Sequence, residues 1–246
     1  MACRRHGSGL LLLFVLVLDS SSTFCNHLWF LCALRLGPVQ RAATSLQDAI
    51  GSLPNGCTLE LPPGQYCNTR PIVINRNITL LGSNSQRTQL SGSFIFEVGA
   101  ENAVLQDVDI VNQDRFVAVH LRCKGRPRVQ GCHIESRGIG ILADPPLDAD
   151  SNPHVLDCRI GPAWQGLVIA GRCQGIFEAC VISDCRSAGI RLRNDAQPVL
   201  RSNMVIGCRG PSLLIWNRAS PTMEENTFVH NSIDPDSPAG NMTGLG

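Results

Sequence analysis

From Pro127 onward, apolar and polar positions alternate in short runs, and the runs return in a fixed order. The segments P-R-V-Q-G-C-H-I, P-H-V-L-D-C-R-I, G-I-F-E-A-C-V-I, P-V-L-R-S-N-M-V and P-T-M-E-E-N-T-F begin at Pro127, Pro153, Gly175, Pro198 and Pro221, in steps of 26, 22, 23 and 23 residues. One apolar column passes through Val129, Val155, Phe177, Leu200 and Met223, and a second through Ile134, Ile160, Ile182, Val205 and Phe228. A third run of the form G-Φ-x-Φ follows in each repeat: G-I-G-I-L, G-L-V-I-A, G-I-R-L-R, then S-L-L-I-W with Ser212 in the glycine's place. Each run has period two, which predicts a strand with one buried face. No helix-length pattern separates the runs. Strands that recur this closely without crossover helices must stack on their own copies. The pattern therefore predicts an all-β fold, a single-stranded right-handed parallel β-helix. Earlier stretches fit less regularly: N-I-T-L-L-G near Asn77, S-F-I-F near Phe94 and L-Q-D-V-D-I near Leu105.

The ends of the solenoid are also legible. T-S-L-Q-D-A-I-G, Thr44 to Gly51, reads as a short amphipathic helix with Ser45 and Asp48 at capping-box spacing. Such a helix would cover the open end of the stack, where bare strand edges invite aggregation. Repeats cease near Asn231. The expected organisation is a signal peptide over 1–22, an apolar linker over 23–43, the β-helix over 44–232 and a disordered tail over 233–246.

Cysteine and asparagine exchange places in register. Cys132, Cys158 and Cys180 continue as Asn203 and Asn226, while Cys185 and Cys208 continue as Asn231. A zinc ligand does not tolerate that swap. Rungs lie about 4.7–4.9 Å apart, more than the roughly 3.5–4.5 Å between Cβ atoms that a disulfide prefers. The columns are expected to be interior ladders of small buried thiols and amides. Cys57 with Cys67, and Cys123 with Cys173, lie outside the columns, where disulfides are open options.

Composition narrows the function classes. A net charge of +1 excludes a generally basic nucleic-acid binder, and an aromatic content of 5% leaves few residues for stacking. Lys124 is the sole lysine, so the basic charge is almost entirely arginine. Arg4, Arg5 and His6 precede the apolar run Leu10–Leu18 and a polar D-S-S-S-T, the form of a secretory signal too short to span a bilayer. The second apolar patch, Leu28–Leu34, leaves membrane anchoring open. The chain is expected to be secreted or anchored, with a cytoplasmic location as the alternative. The sequons at Asn77 and Asn241 matter only in the secreted case.

The opening L-Q-D-A-I-G-S-L-P-N-G-C-T-L-E-L-P-P-G-Q-Y resembles that of pectin-lyase-like β-helices. Residues 175–231 most resemble the β-helix region of F-box-only proteins, within the domain class named for carbohydrate-binding proteins and sugar hydrolases. No F-box is present, so the ligase role does not carry over. The resemblance implies enzymes that cleave or modify polysaccharides, with paired acids or a calcium-bound acid cluster and a basic residue. No N-T-D, G-H-G, R-I-K or W-x-D-H signature occurs. G-R-P-R at Gly125–Arg128 lacks the spacing of a lyase basic motif.

Two candidate sites remain. The insertion D-P-P-L-D-A-D-S-N offers Asp144, Asp148 and Asp150 as a weak Ca²⁺ candidate, against an ordinary surface loop. The G-Φ-x-Φ strands leave Arg191, Arg193, Leu214 and Trp216 outward, with Trp216 one rung above Arg193 for a cation–π contact and Val168 and Ala170 extending the stripe. Glu178, Arg201 and Glu224 form a stabilising charge ladder on another face. The leading expectation is a non-catalytic recognition or scaffold domain without cofactor, binding a protein or glycan along one face. An extracellular polysaccharide lyase or hydrolase is the alternative, and a purely structural fragment is the third.

Overall fold

The computed structural model describes residues 45–83 and 87–232. The readings of a signal peptide, an apolar linker, a C-terminal tail and the Asn241 sequon lie outside those residues. Within them, no helix is long and apolar enough to cross a membrane.

Period-two strands too short to be stable alone gain their pairing from neighbouring coils. The result is a parallel β-helix of three sheets. Sheet A has eight strands, from Thr58–Glu60 to Thr222–Glu224; sheet B has eight, from Gly64–Cys67 to Thr227–Val229; sheet C has seven, from Ile72–Ile74 to Leu213–Ile215. Every strand pairs in parallel with its equivalents one coil before and after, the end strands of each sheet with one of them. The register holds the first apolar column as read, with Val129, Val155, Phe177, Leu200 and Met223 as successive partners. The second column is likewise continuous through Ile134, Ile160, Ile182, Val205 and Phe228. These files, with the inward residues of sheet C, make one dry core in which Phe94, Phe96 and Phe177 are the bulkiest members.

Helix α1, Leu46–Ser52, closes the first coil. Ser45 caps it, its hydroxyl accepting from the Asp48 N–H at 3.1 Å, and Leu46, Ala49 and Ile50 are buried against the stack.

The corner between sheets A and B is made by one residue per coil in the left-handed region. Asp107, Gly131, Asp157, Ala179, Ser202 and Glu225 all have φ between 50° and 61°. The residue after each turns inward, which is why the Cys/Asn column begins at that point in every repeat.

Candidate functional site

The inward turn columns come first, because they hold most of the thiols. In the first, Asn203 Oδ1 accepts from the Cys180 N–H at 3.0 Å, and its Nδ2 donates to the Phe177 carbonyl at 2.8 Å and to Asn226 Oδ1 at 3.0 Å. Where the column holds cysteine, the thiol donates to the carbonyl two residues before it: Cys132 to Gln130 at 3.3 Å, Cys158 to Leu156 at 3.3 Å, Cys180 to Glu178 at 3.2 Å. In the second column Asn231 Oδ1 accepts from the Cys208 N–H at 2.8 Å. Contact with Cys132 and Cys180, together with burial, pushes the Cys158 thiol up, and contact with Cys208 does the same for Cys185. Burial raises Cys123 and Cys173 to about 12. Thiols held protonated in this way are neither nucleophiles nor metal ligands. Cys57, Cys123 and Cys173 are also free thiols, so neither candidate pair outside the columns is bridged.

The acids of the 144–152 insertion do not converge. Asp144 pairs with Arg193 at 3.5 Å and Asp150 with Arg172 at 2.8 Å. Among the described residues no cluster of three His, Cys, Asp or Glu could hold a metal ion. The insertion instead folds over the outer face of sheet C, its Pro145 and Pro146 walling an open cleft of about 630 Å³. The cleft floor carries Asn75, Glu97, His120 and Arg122.

Strand register sets this floor. Glu97, Arg122 and Asp144 occupy one outward row, each N–H bonding to the coil beneath, and Arg122 pairs with Glu97 at 3.6 Å. His120 lies two residues back on the same strand, with its Nε2 shielded from solvent and without a protein partner. Burial, reinforced by the Arg122 charge, lowers the imidazole from 6.5 to about 4, so His120 is neutral at pH 7. The sequence reading missed Glu97, His120 and Arg122 because the early coils step irregularly. The available signal was their registry with Asp144.

The sign of the His120 effect gives a stability prediction. Its folded value lies below the unfolded one, so the contribution is complete above pH 6.5 and is lost as pH falls towards 4. With a discount for partial exposure the loss is on the order of 1–2 kcal/mol, or about 3–6 °C for a chain of this size. His120→Gln should flatten that part of the melting-temperature profile between pH 7 and 4. An unchanged profile in the variant would show that other groups dominate.

Further along the same face, the structure changes the expected stripe in two ways. The guanidinium over Trp216 belongs to Arg191, 4.2 Å from the ring centroid, rather than to Arg193. The register is as read, since the Trp216 N–H donates to the Leu192 carbonyl at 2.9 Å. Arg193, however, is drawn the other way by Asp144, which leaves Arg191 to lie diagonally across the indole. Val168 and Ala170 are buried rather than outward-facing surface. Ala170 stands in register between Asp144 and Arg193, so their ion pair closes over it. Leu214 is half-buried and Trp216 stays 43% exposed. Burial, then the like charge of Arg193, lowers Arg191 below the usual guanidinium value. Arg191 and Arg193 each keep a shielded Nε without a protein partner.

The charge ladder of sheet A is structural. Arg201 lies between Glu224 at 2.6 Å and Glu178 at 3.5 Å. Asn77 of the described sequon accepts from the Asn102 N–H at 2.8 Å through its Oδ1.

A family model described as a right handed beta helix region matches residues 72–233. No curated protein matches the chain in sequence. Among solved structures, pectate lyase Pel9A aligns at 13% identity with a TM-score of 0.56, over 67% of this chain and 48% of that one. The catalytic unit of a thermostable GH87 alpha-1,3-glucanase from Streptomyces thermodiastaticus strain HF3-3 aligns at 18% identity with a TM-score of 0.52, over 74% of this chain and 43% of that one. At these identities the likeness is one of fold, and the chain spans less than half the length of either protein.

Proposed function

Because the chain belongs to the right-handed β-helix family, whose stacked coils present long flat faces, we propose that it is a glycan-recognition domain that holds a carbohydrate strand along the outer face of sheet C. The carrying observation is the open cleft on that face, floored by the polar and charged side chains of Asn75, Glu97, His120 and Arg122. The cleft volume suits a small oligosaccharide. At the far end, Arg191 packs one face of Trp216 and leaves the other open to stack on a sugar ring. A secreted protein, as the N-terminal reading expects, would meet such ligands.

Cleavage is the second reading, favoured by the fold shared with a pectate lyase and a glucanase. The carboxylates here suit it poorly. Glu97 and Asp144 stand two rungs apart, about 9.5 Å from the strand spacing, well beyond the roughly 5–5.5 Å of a retaining pair and at the upper limit of the roughly 6.5–9.5 Å of an inverting one. Arg122 lies between them in the row and neutralises Glu97.

Binding of the full chain to a panel of immobilised neutral and acidic oligosaccharides tests the proposal. At least one should be retained, and Arg122→Ala and Trp216→Ala should each weaken it about tenfold, the worth of one charged hydrogen bond or stacked ring. No retained glycan, or variants that bind like the parent, would sink it. Release of reducing ends or of unsaturated uronate would put cleavage in its place.

A further inference from the structure

The corner where sheet B turns into sheet C carries chemistry that the sheet C face does not use. One residue beyond the inward column Ser136, Ala163, Cys185 and Cys208, each coil points a side chain outward: Arg137, Trp164, Arg186 and Arg209. Backbone bonds hold these four in file. The Ser136 N–H donates to the Pro162 carbonyl at 3.0 Å, which sets Arg137 beside Trp164; the Arg186 N–H donates to the Ala163 carbonyl at 2.9 Å, and the Arg209 N–H to the Cys185 carbonyl at 2.8 Å. All four side chains are exposed, Trp164 by 52%. A small cleft of about 140 Å³ opens between Arg137, Trp164 and Arg186, backed by Asn112 and Ser136.

The three guanidiniums have no ion pair or side-chain hydrogen bond among the described residues. Where arginines follow acids in register the solenoid pairs them along the axis, Arg201 with Glu178 and Glu224, and Arg218 with Asp195. Arg186 and Arg209 are instead direct neighbours on adjacent rungs, about 4.8 Å apart at the backbone. Like charges directly opposite are destabilising in a sheet. An anion bound between them would turn this repulsion into attraction.

We propose that this corner file is a second binding surface, for a linear anionic glycan lying along the solenoid axis, with its carboxylate or sulfate groups against Arg137, Arg186 and Arg209 and a sugar ring stacked on Trp164. The basic file is one side chain wide. Glu135 and Asp184, each two residues before an arginine of the file, border it on the sheet B side. A nucleic acid calls for a broad basic patch and successive aromatic platforms, whereas this corner has one ring and an acidic border. A polymer with one anion per sugar and flat apolar ring faces fits a single ring among spaced cations. The surface stands independently of the sheet C reading.

The test is equilibrium binding of the full chain, in low salt, to a heparin-derived oligosaccharide, an oligogalacturonate, a neutral dextrin and a single-stranded oligonucleotide of matched charge. The heparin fragment, the oligogalacturonate or both should bind, and which of them binds assigns sulfate or carboxylate as the partner group. The triple variant Arg137→Ala/Arg186→Ala/Arg209→Ala should bind at least about tenfold more weakly, the product of three exposed ion pairs, and respond less to added salt. Trp164→Ala should lose about fivefold while Trp164→Phe keeps most of the affinity. Failure of both anionic glycans to bind, tighter binding of the oligonucleotide, dextrin binding that the triple variant loses, or a triple variant equal to the parent towards the anionic glycans would overturn the proposal. The four side chains are exposed and bury no core, so circular dichroism of each variant should match the parent.

Discussion

Asn203→Leu is expected to lower the unfolding free energy by about 3–5 kcal/mol, whereas Asn203→Cys should cost only about 1–2. Leucine matches asparagine in size, so the packing changes little and the loss is one of hydrogen bonding. The Cys180 N–H loses its acceptor, the Phe177 carbonyl loses a donor, and Asn226 Oδ1 loses the Nδ2 donor above it. Asn203 is buried, so water does not replace those partners, and each abandoned group costs about 1–3 kcal/mol. Cysteine would adopt the arrangement that the column already uses one coil earlier, where the Cys180 thiol donates to the Glu178 carbonyl at 3.2 Å. Urea unfolding followed by circular dichroism separates the two variants. If leucine and cysteine were equally tolerated, the column would be a packing site with no polar role. The same contrast explains why cysteine and asparagine alternate along one file: both are small and both can satisfy a carbonyl, but only asparagine also reaches the N–H of the preceding coil.

The repeat was legible from Pro127 onward because packing demands the same side-chain type at the same place in every coil. A strand that shifts by one residue exposes its whole core face, so Val129 to Met223 had to stay in register and could be counted. Before Pro127 the demand is weaker. The Leu59, Leu80, Leu105 and Val129 partners are separated by 21, 25 and 24 residues, with the slack absorbed in loops outside the strands. The strands there were visible while their relative heights were not, and His120 and Arg122 went unseen as neighbours of Asp144.

Outward positions are harder to read for a further reason. Backbone register fixes which Cα atoms align, but a long side chain reaches past its own rung. Trp216 aligns with Arg193 and yet lies against Arg191, because Asp144 holds Arg193 elsewhere. The insertion at Asp144–Asn152 was plain from its length. Its direction, over the face of sheet C, depends on contacts that no period encodes. The corner file of Arg137, Trp164, Arg186 and Arg209 lies between these cases. It follows the Ser136-to-Cys208 column by one residue, so the sequence held its positions, but the absence of pairing appears only in three dimensions.

Gly161→Ala should be among the most damaging single methyl additions to the solenoid, costing at least about 4 kcal/mol, while Gly131→Ala should cost about 1–2. Both glycines have positive φ, but +61° at Gly131 is the left-handed region that alanine can adopt, whereas +133° at Gly161 is essentially reserved for glycine. What each new Cβ would meet separates them further. At Gly161 it would come within 1.9 Å of the Ser183 carbonyl oxygen, which belongs to the backbone of the next coil. That strand is fixed by its ladder and by the core beneath it, so relief requires two coils to part. At Gly131 the obstacle is Asp107 Oδ1 at 2.3 Å, the free end of a side chain that can rotate away. The position is also one where Ala179 already adopts φ 52° in a later coil, so alanine is tolerated there at the cost of a left-handed turn. At about 2–4 °C per kcal/mol for a chain of this size, thermal melts should place Gly131→Ala a few degrees below the parent. Gly161→Ala should melt at least about 10 °C below it, or fail to fold. Equal shifts would mean that adjacent coils slide apart easily, which contradicts a core in which every coil is locked to the next by the side chains between them.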